Sequence, residues 1–221
     1  MHRLSAFRLL VLLAATPVTS CKQPQTAANT APSADGHPLA FLAAQRVVVT
    51  PTHALNVASE LGWSSEMGRS RDVLRNLDSD IAAALEERGL RRGWVLPDQL
   101  AASYTRNRSY GSDPYMLAEG PLRSPNFIAG TKLPEPLASQ LRTMIALHED
   151  ARLVLAPVEL RFERVGGSST AARATLRLAL VDPRMSEARW VGQVRSDTAS
   201  SFSPVFTATL ARRVADLVAA P

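Results

Sequence analysis

Cysteine is almost missing from this chain: Cys21 is the only one in 221 residues. A single thiol excludes an intramolecular disulfide and the multi-cysteine metal and redox motifs, so the fold must be held by its core. Lysine is nearly as scarce. Lys22 and Lys132 are the only two among 25 basic residues, and the remaining positive charge, within a net +5, is arginine. The arginines are scattered, with no run longer than Arg91-Arg92 or Arg212-Arg213 and no aromatic interleaving, which argues against a nucleic-acid partner. Aromatic residues make up 5% of the chain, too few for an extended aromatic ligand cradle. Four histidines and one cysteine supply too few ligands for a zinc site, and no cofactor is expected.

Catalytic signatures are also lacking. There is no G-x-S-x-G elbow, no H-E-x-x-H and no P-loop lysine, and Gly166-Gly167-Ser168 falls between two strand patterns. His148-Glu149-Asp150 is the one acid–base cluster. It sits where a helical pattern ends, and a histidine there suits the helix dipole without any catalytic role. The chain is read as a non-enzyme, with an envelope hydrolase or a ligand-binding sensor as the alternatives.

What the amino terminus does contain is a basic start, Arg3 and Arg8, then a seven-residue apolar run from Leu9 to Ala15. That run is far short of the ~20 residues that span a bilayer as a helix. With small residues before Cys21, it reads as an export signal. The last four residues, Val18-Thr19-Ser20-Cys21, resemble the lipobox of bacterial lipoproteins. The resemblance implies cleavage before Cys21, diacylation of that cysteine and attachment to the lipid bilayer. Lys22 stands where an aspartate would signal inner-membrane retention, so the expected place is the outer membrane, facing the periplasm. Lys22 to Pro38 is polar and small, with no apolar period, and reads as a flexible tether.

From residue 39 onward, one α+β domain is expected. Val47-Val48-Val49 is a β-branched run closed by Pro51, the pattern of a strand covered on both faces. A loop is expected from Thr52 to Arg69. Val73, Leu74, Leu77, Ile81, Ala84 and Leu85 then recur at helical spacing until Gly89, with Asp72, Arg75, Asp78, Glu86 and Arg88 on a solvated opposite face. Trp94-Val95-Leu96 is a second short strand, and Pro97 opens a helix running to about Tyr104. Asn107 to Pro136, with five prolines, predicts a long irregular loop, either partner-facing or a disordered insertion.

Leu137 to His148 predicts a third helix. After it, Val158, Leu160 and Phe162 alternate with Glu159, Arg161 and Glu163, and Ala172 to Leu180 alternate with Arg173, Thr175 and Arg177. With a turn at Gly166 to Ser169 and a third strand from Arg189 to Asp197, they make a three-stranded antiparallel meander with one packed face and one wet. A closing helix from near Pro204 to Ala219 covers the packed face, giving a mixed sheet packed against three to four helices. Trp63, Trp94 and Trp190 are expected in or at the core.

This order resembles the periplasmic domain shared by the curli secretion lipoprotein, the amino-terminal domain of the Tol-system propeller protein and lipoprotein activators of penicillin-binding proteins. The matching stretches are Val47-Val48-Val49-Thr50-Pro51, Leu85-Glu86-Glu87-Arg88-Gly89, Trp94-Val95-Leu96-Pro97 and Leu180-Val181-Asp182 before Trp190-Val191-Gly192. The resemblance implies an accessory or assembly factor that binds another envelope protein, and it leaves self-association into a homo-oligomer open. Arg161, Glu163, Arg173, Arg177 and Arg195 on the strands argue against membrane-inserted hairpins. The densest basic-aromatic cluster, Tyr104, Arg106, Arg108 and Tyr110, is the expected partner contact.

Overall fold

The computed structural model describes residues 36–148, 151–166 and 171–219. Cys21, most of the tether, Glu149, Asp150 and the Gly167 to Ser169 part of the expected turn lie outside them. Among the described residues are six strands: β1 (Val47–Val49), β2 (Ala54–Val57), β3 (Trp94–Val95), β4 (Leu153–Arg164), β5 (Ala172–Asp182) and β6 (Glu187–Ala199). Five helices accompany them: α1 (Ser64–Met67), α2 (Ser70–Glu87), α3 (Pro97–Arg106), α4 (Leu137–Ala146) and α5 (Val205–Asp216). The fold is α+β.

All strands share one sheet in the order β3-β1-β4-β5-β6. β3, β1 and β4 run parallel, and β4, β5 and β6 form the antiparallel meander. β1 is buried throughout, as a triple-valine run between two strands should be. The expected loop after Pro51 is broken by β2, which pairs in parallel with β4 from Ala54 opposite Glu159 to Val57 opposite Phe162. β1 and β2 are thus one interrupted strand along β4, and Thr50 to His53 is the gap.

One face of the sheet packs against α2 and α5. Leu155, Leu160, Phe162, Leu176, Leu178 and Leu180 meet Leu77, Ile81, Leu85, Leu210 and Val214 in a single cluster. Helix α2 stops where the periodicity said it should, with Gly89 at φ 71°. Trp63 joins Phe162 and Phe206 here, with ring centroids 5.5–5.9 Å apart.

The other face carries a second cluster, and the expected wet face is here only half wet. Val154, Ala156, Val158, Ala179 and Val181 pack against Leu137, Leu141, Met144 and Ile145 of α4. Leu117, Leu122, Phe127 and Leu133 complete this cluster, and all four belong to the 107–136 stretch. That stretch is therefore a covering layer rather than a free insertion: irregular backbone, but four apolar anchors. Arg177 on β5 fastens it, donating to the carbonyls of Leu122 (3.1 Å), Ser124 (3.1 Å) and Phe127 (2.8 Å).

A register irregularity in β4 between Pro157 and Glu159 corrects the expected alternation. Val158 belongs to the cluster under α4, whereas Leu160 and Phe162 face α2 and α5. An extra residue in one strand lets two neighbours share a face, which is what a β-bulge does. Beyond the bulge, the face under α4 turns polar.

Candidate functional site

Three polar places result from this architecture. The first lies on the uncovered part of the second face, past the bulge. Cross-strand pairing sets Glu159 opposite Arg177, Arg161 opposite Thr175 and Glu163 opposite Arg173, and then Thr175 opposite Arg195. Alternation puts all of these side chains on one face. They line a groove of about 380 Å³ together with Arg123, Arg164 and Gln193. Six arginines meet two glutamates there: Arg123, Arg161, Arg164, Arg173, Arg177 and Arg195 against Glu159 and Glu163. Arg161 spends its guanidinium on both acids, 2.7 Å from Glu159 and 3.3 Å from Glu163. The groove therefore keeps a strong positive excess.

The second place is at the opposite end of β1. Arg46 leads into β1, and Arg91, Arg92 and Gly93 lead into its parallel neighbour β3, with Val47 beside Trp94. Arg106 at the end of α3 and His148 just past α4 close a pocket of about 320 Å³ over these lead-ins. Burial, followed by the charges of Arg46 and Arg106, lowers the pKa of His148.

The third is buried beyond the other end of β1, in the gap before β2. The Thr50 hydroxyl donates to Glu119 Oε1 at 3.2 Å, and His53 Nε2 is 3.7 Å from the same oxygen. Thr52 donates its backbone N–H (2.9 Å) and hydroxyl (2.7 Å) to Asp78 Oδ1. Glu119 is 3% exposed, and burial pushes its carboxyl up to about 8 despite the Thr50 bond. Burial likewise raises Asp78 to about 7, against the pull of both Thr52 bonds. His53 is held below its ordinary value, by burial first. Asp78 is thus no part of a solvated helix face. Its polar neighbour is a threonine 26 residues upstream, which helical periodicity cannot show.

The expected contact cluster is only partly assembled. Arg106 enters the pocket with Arg46, Arg91, Arg92 and His148, whereas Tyr104, Arg108 and Tyr110 are not among its lining residues. Arg108 is exposed, and the Tyr110 hydroxyl donates to Asn107 at 2.6 Å on the surface. His53 and His148 lie at opposite ends of β1 and do not form a pair. Sequence reading missed the arginine groove as a site, although the alternation of Arg161, Arg173, Arg177 and Arg195 on predicted strands was its signal. It also missed Arg46, Arg91 and Arg92 as neighbours, because only the parallel pairing of β1 and β3 joins them.

Among the described residues, no group of three or more His, Cys, Asp and Glu is placed to hold a metal ion. No described helix is long and apolar enough to cross a membrane.

No protein-family model matches the chain, and no curated protein matches it. Solved structures give distant likenesses. A PelC dodecamer from Paraburkholderia phytofirmans in space group P6 is 13% identical, over 79% of this chain and 87% of that one, with a TM-score of 0.37. A singly substituted PelC dodecamer from the same organism, in space group C2, is 14% identical over 83% and 95%, with a TM-score of 0.38. The hypothetical protein CT253 from Chlamydia trachomatis is 17% identical over 71% and 74%, with a TM-score of 0.32. These likenesses are too remote to assign a family or an activity.

Proposed function

We propose that this chain is a lipid-anchored envelope protein that works by binding, not catalysis, and that the arginine groove of the meander receives an acidic surface of another envelope protein. The anchor is Cys21, and the expected setting is the outer membrane, facing the periplasm. The observation that carries the binding reading is the groove itself: six arginines to two glutamates on a rigid sheet face. Guanidinium groups stay protonated at any physiological pH, so they attract and orient anionic groups but do not relay protons. The groups whose pKa values are moved toward neutrality, Glu119 and Asp78, lie outside the residues lining either basic site. A row of arginines along three strands, spaced by the pleat, suits carboxylates displayed on a protein surface.

The test is capture from mild-detergent extracts of crosslinked envelopes. The native chain should bring down one stoichiometric envelope protein, and an Arg173→Glu, Arg195→Glu variant should lose it while remaining in the membrane fraction. A chain recovered alone, or a partner retained by the charge-reversed variant, would sink this reading.

A further inference from the structure

We infer that the pocket at the amino-terminal ends of β1 and β3 is a binding site for a phosphate group, separate from the arginine groove. Arg46, Arg91, Arg92 and Arg106 line it, and no carboxylate is among its described lining residues. Among the described residues, Arg91 is the one of these four with an ion pair, to Glu86 outside the pocket. Trp94, a residue 2% exposed, also lines the pocket, and its buried indole N–H has no acceptor among the described residues. Several cations with no described carboxylate among them leave room for an anion from outside the chain.

The chemistry of that anion follows from the donors. Four guanidinium groups line one pocket, and a phosphate group offers them more acceptor oxygens than a single carboxylate does. The tetrahedral oxygens of a phosphate also accept forked guanidinium donors from several directions at once. A volume of about 320 Å³ admits a phosphate or a small phosphate ester rather than a folded partner.

Two sources can supply such a group, a soluble phosphate or a lipid headgroup. The pocket is on the side where the tether joins the domain. Leu39 donates to the Leu217 carbonyl at 2.8 Å, and the adjacent Asp216 pairs with Arg88, three residues before Arg91. A chain anchored through Cys21 therefore has headgroup phosphates within reach of this end.

The indole N–H signals of the three tryptophans report on the question directly. The full processed chain, labelled at tryptophan and held in neutral maltoside micelles, is titrated with inorganic phosphate at constant ionic strength. A second titration uses micelles doped with phosphatidylglycerol, with phosphatidylcholine as the control, and a third uses acetate. A saturable shift of the Trp94 signal, assigned by Trp94→Phe, with Trp63 unmoved, is the expected result. Response to inorganic phosphate identifies a soluble ligand, and response to phosphatidylglycerol alone identifies a headgroup. Arg46→Gln with Arg106→Gln should weaken binding about tenfold or more, since each removes a charge-assisted donor. Arg92→Gln, which removes one donor rather than two, should weaken it less, and the unmoved Trp63 signal shows that each variant is folded. The inference fails if neither phosphate source moves Trp94, if acetate moves it equally, or if Arg92→Gln and the double variant both bind as the native chain does.

Discussion

The hydroxyl of Thr50, just past β1, donates to the buried carboxyl of Glu119 in the covering layer across 3.2 Å. That bond ties two parts of the chain 69 residues apart, and it does so with a carboxyl that holds its proton up to about pH 8. Asp78 behaves similarly, titrating near 7. In the unfolded chain both would lose their protons in the ordinary carboxylate range. The folded state therefore binds more protons than the unfolded state between that range and about 7 to 8. Their contribution to stability is fully present below the ordinary carboxylate range and is lost as pH rises through those values. His53, held below the ordinary imidazole range, acts in the opposite sense on the acidic side. The melting temperature should fall between about pH 5.5 and about pH 8.5, and Glu119→Gln should flatten that slope by up to about 1.4 kcal/mol per pH unit. An unchanged slope in the glutamine variant would show that Glu119 is ionised in the fold.

Arg177 satisfies three carbonyls of the covering layer from below. Arg177→Met keeps much of the aliphatic stem and removes every donor, so the expected loss is about 2–4 kcal/mol, with those carbonyls left without their partner. Limited proteolysis should then cut within 107–136 first, before the meander. Cleavage elsewhere at the same rate as in the native chain would mean that the apolar anchors alone hold this layer.

On β6, the Trp190 ring lies directly over Gly192, and a Cβ added there would come within 2.2 Å of the ring. Gly192→Ala should therefore displace the indole and cost about 1–3 kcal/mol. The two positions should couple: in a Trp190→Ala background the alanine at 192 should cost nothing measurable. Additive losses in the four-member cycle would contradict the contact.

For the anchor, Cys21→Ala should abolish labelling by a fatty-acid probe and leave uncleaved precursor or soluble protein. Two acyl chains give stable attachment where one gives only marginal, reversible binding. An alanine variant that still labels and still fractionates with membranes would show that the signal ends differently.

The elements that could be read from the sequence are those whose signal is local. Helix α2 announced itself by the spacing of Val73, Leu77, Ile81 and Leu85, and the meander by its alternation. β2 did not, because Ala54-Leu55-Asn56-Val57 has no period of its own and is a strand only through pairing with β4 about a hundred residues later. The covering layer was hidden for the same reason: Leu117, Leu122, Phe127 and Leu133 follow no helical or strand spacing, and only the sheet beneath makes them a set. Arg106 was legible as part of a basic-aromatic cluster. Its partners Arg46, Arg91 and Arg92 were not, since they come from two separate lead-ins. The buried acids were the least visible. A carboxylate in an exposed-looking helix register gives no hint that a threonine 26 residues away will receive it.

The bulge at Pro157 to Glu159 gives β4 two mutational regimes. Substitution at Arg161, Glu163 or their neighbours across the sheet changes the charge of the groove while leaving the opposite face as it is. A change of length is another matter. Removing one residue at the bulge would only restore plain alternation, with Glu159 still opposite Arg177. Removing one past it, at Leu160, would turn Arg161 toward α2 and α5 and present Phe162 to the groove, because side chains alternate with a period of two. The specificity of this face is therefore free to drift among related chains by point substitution, whereas insertions and deletions within β4 should be rare.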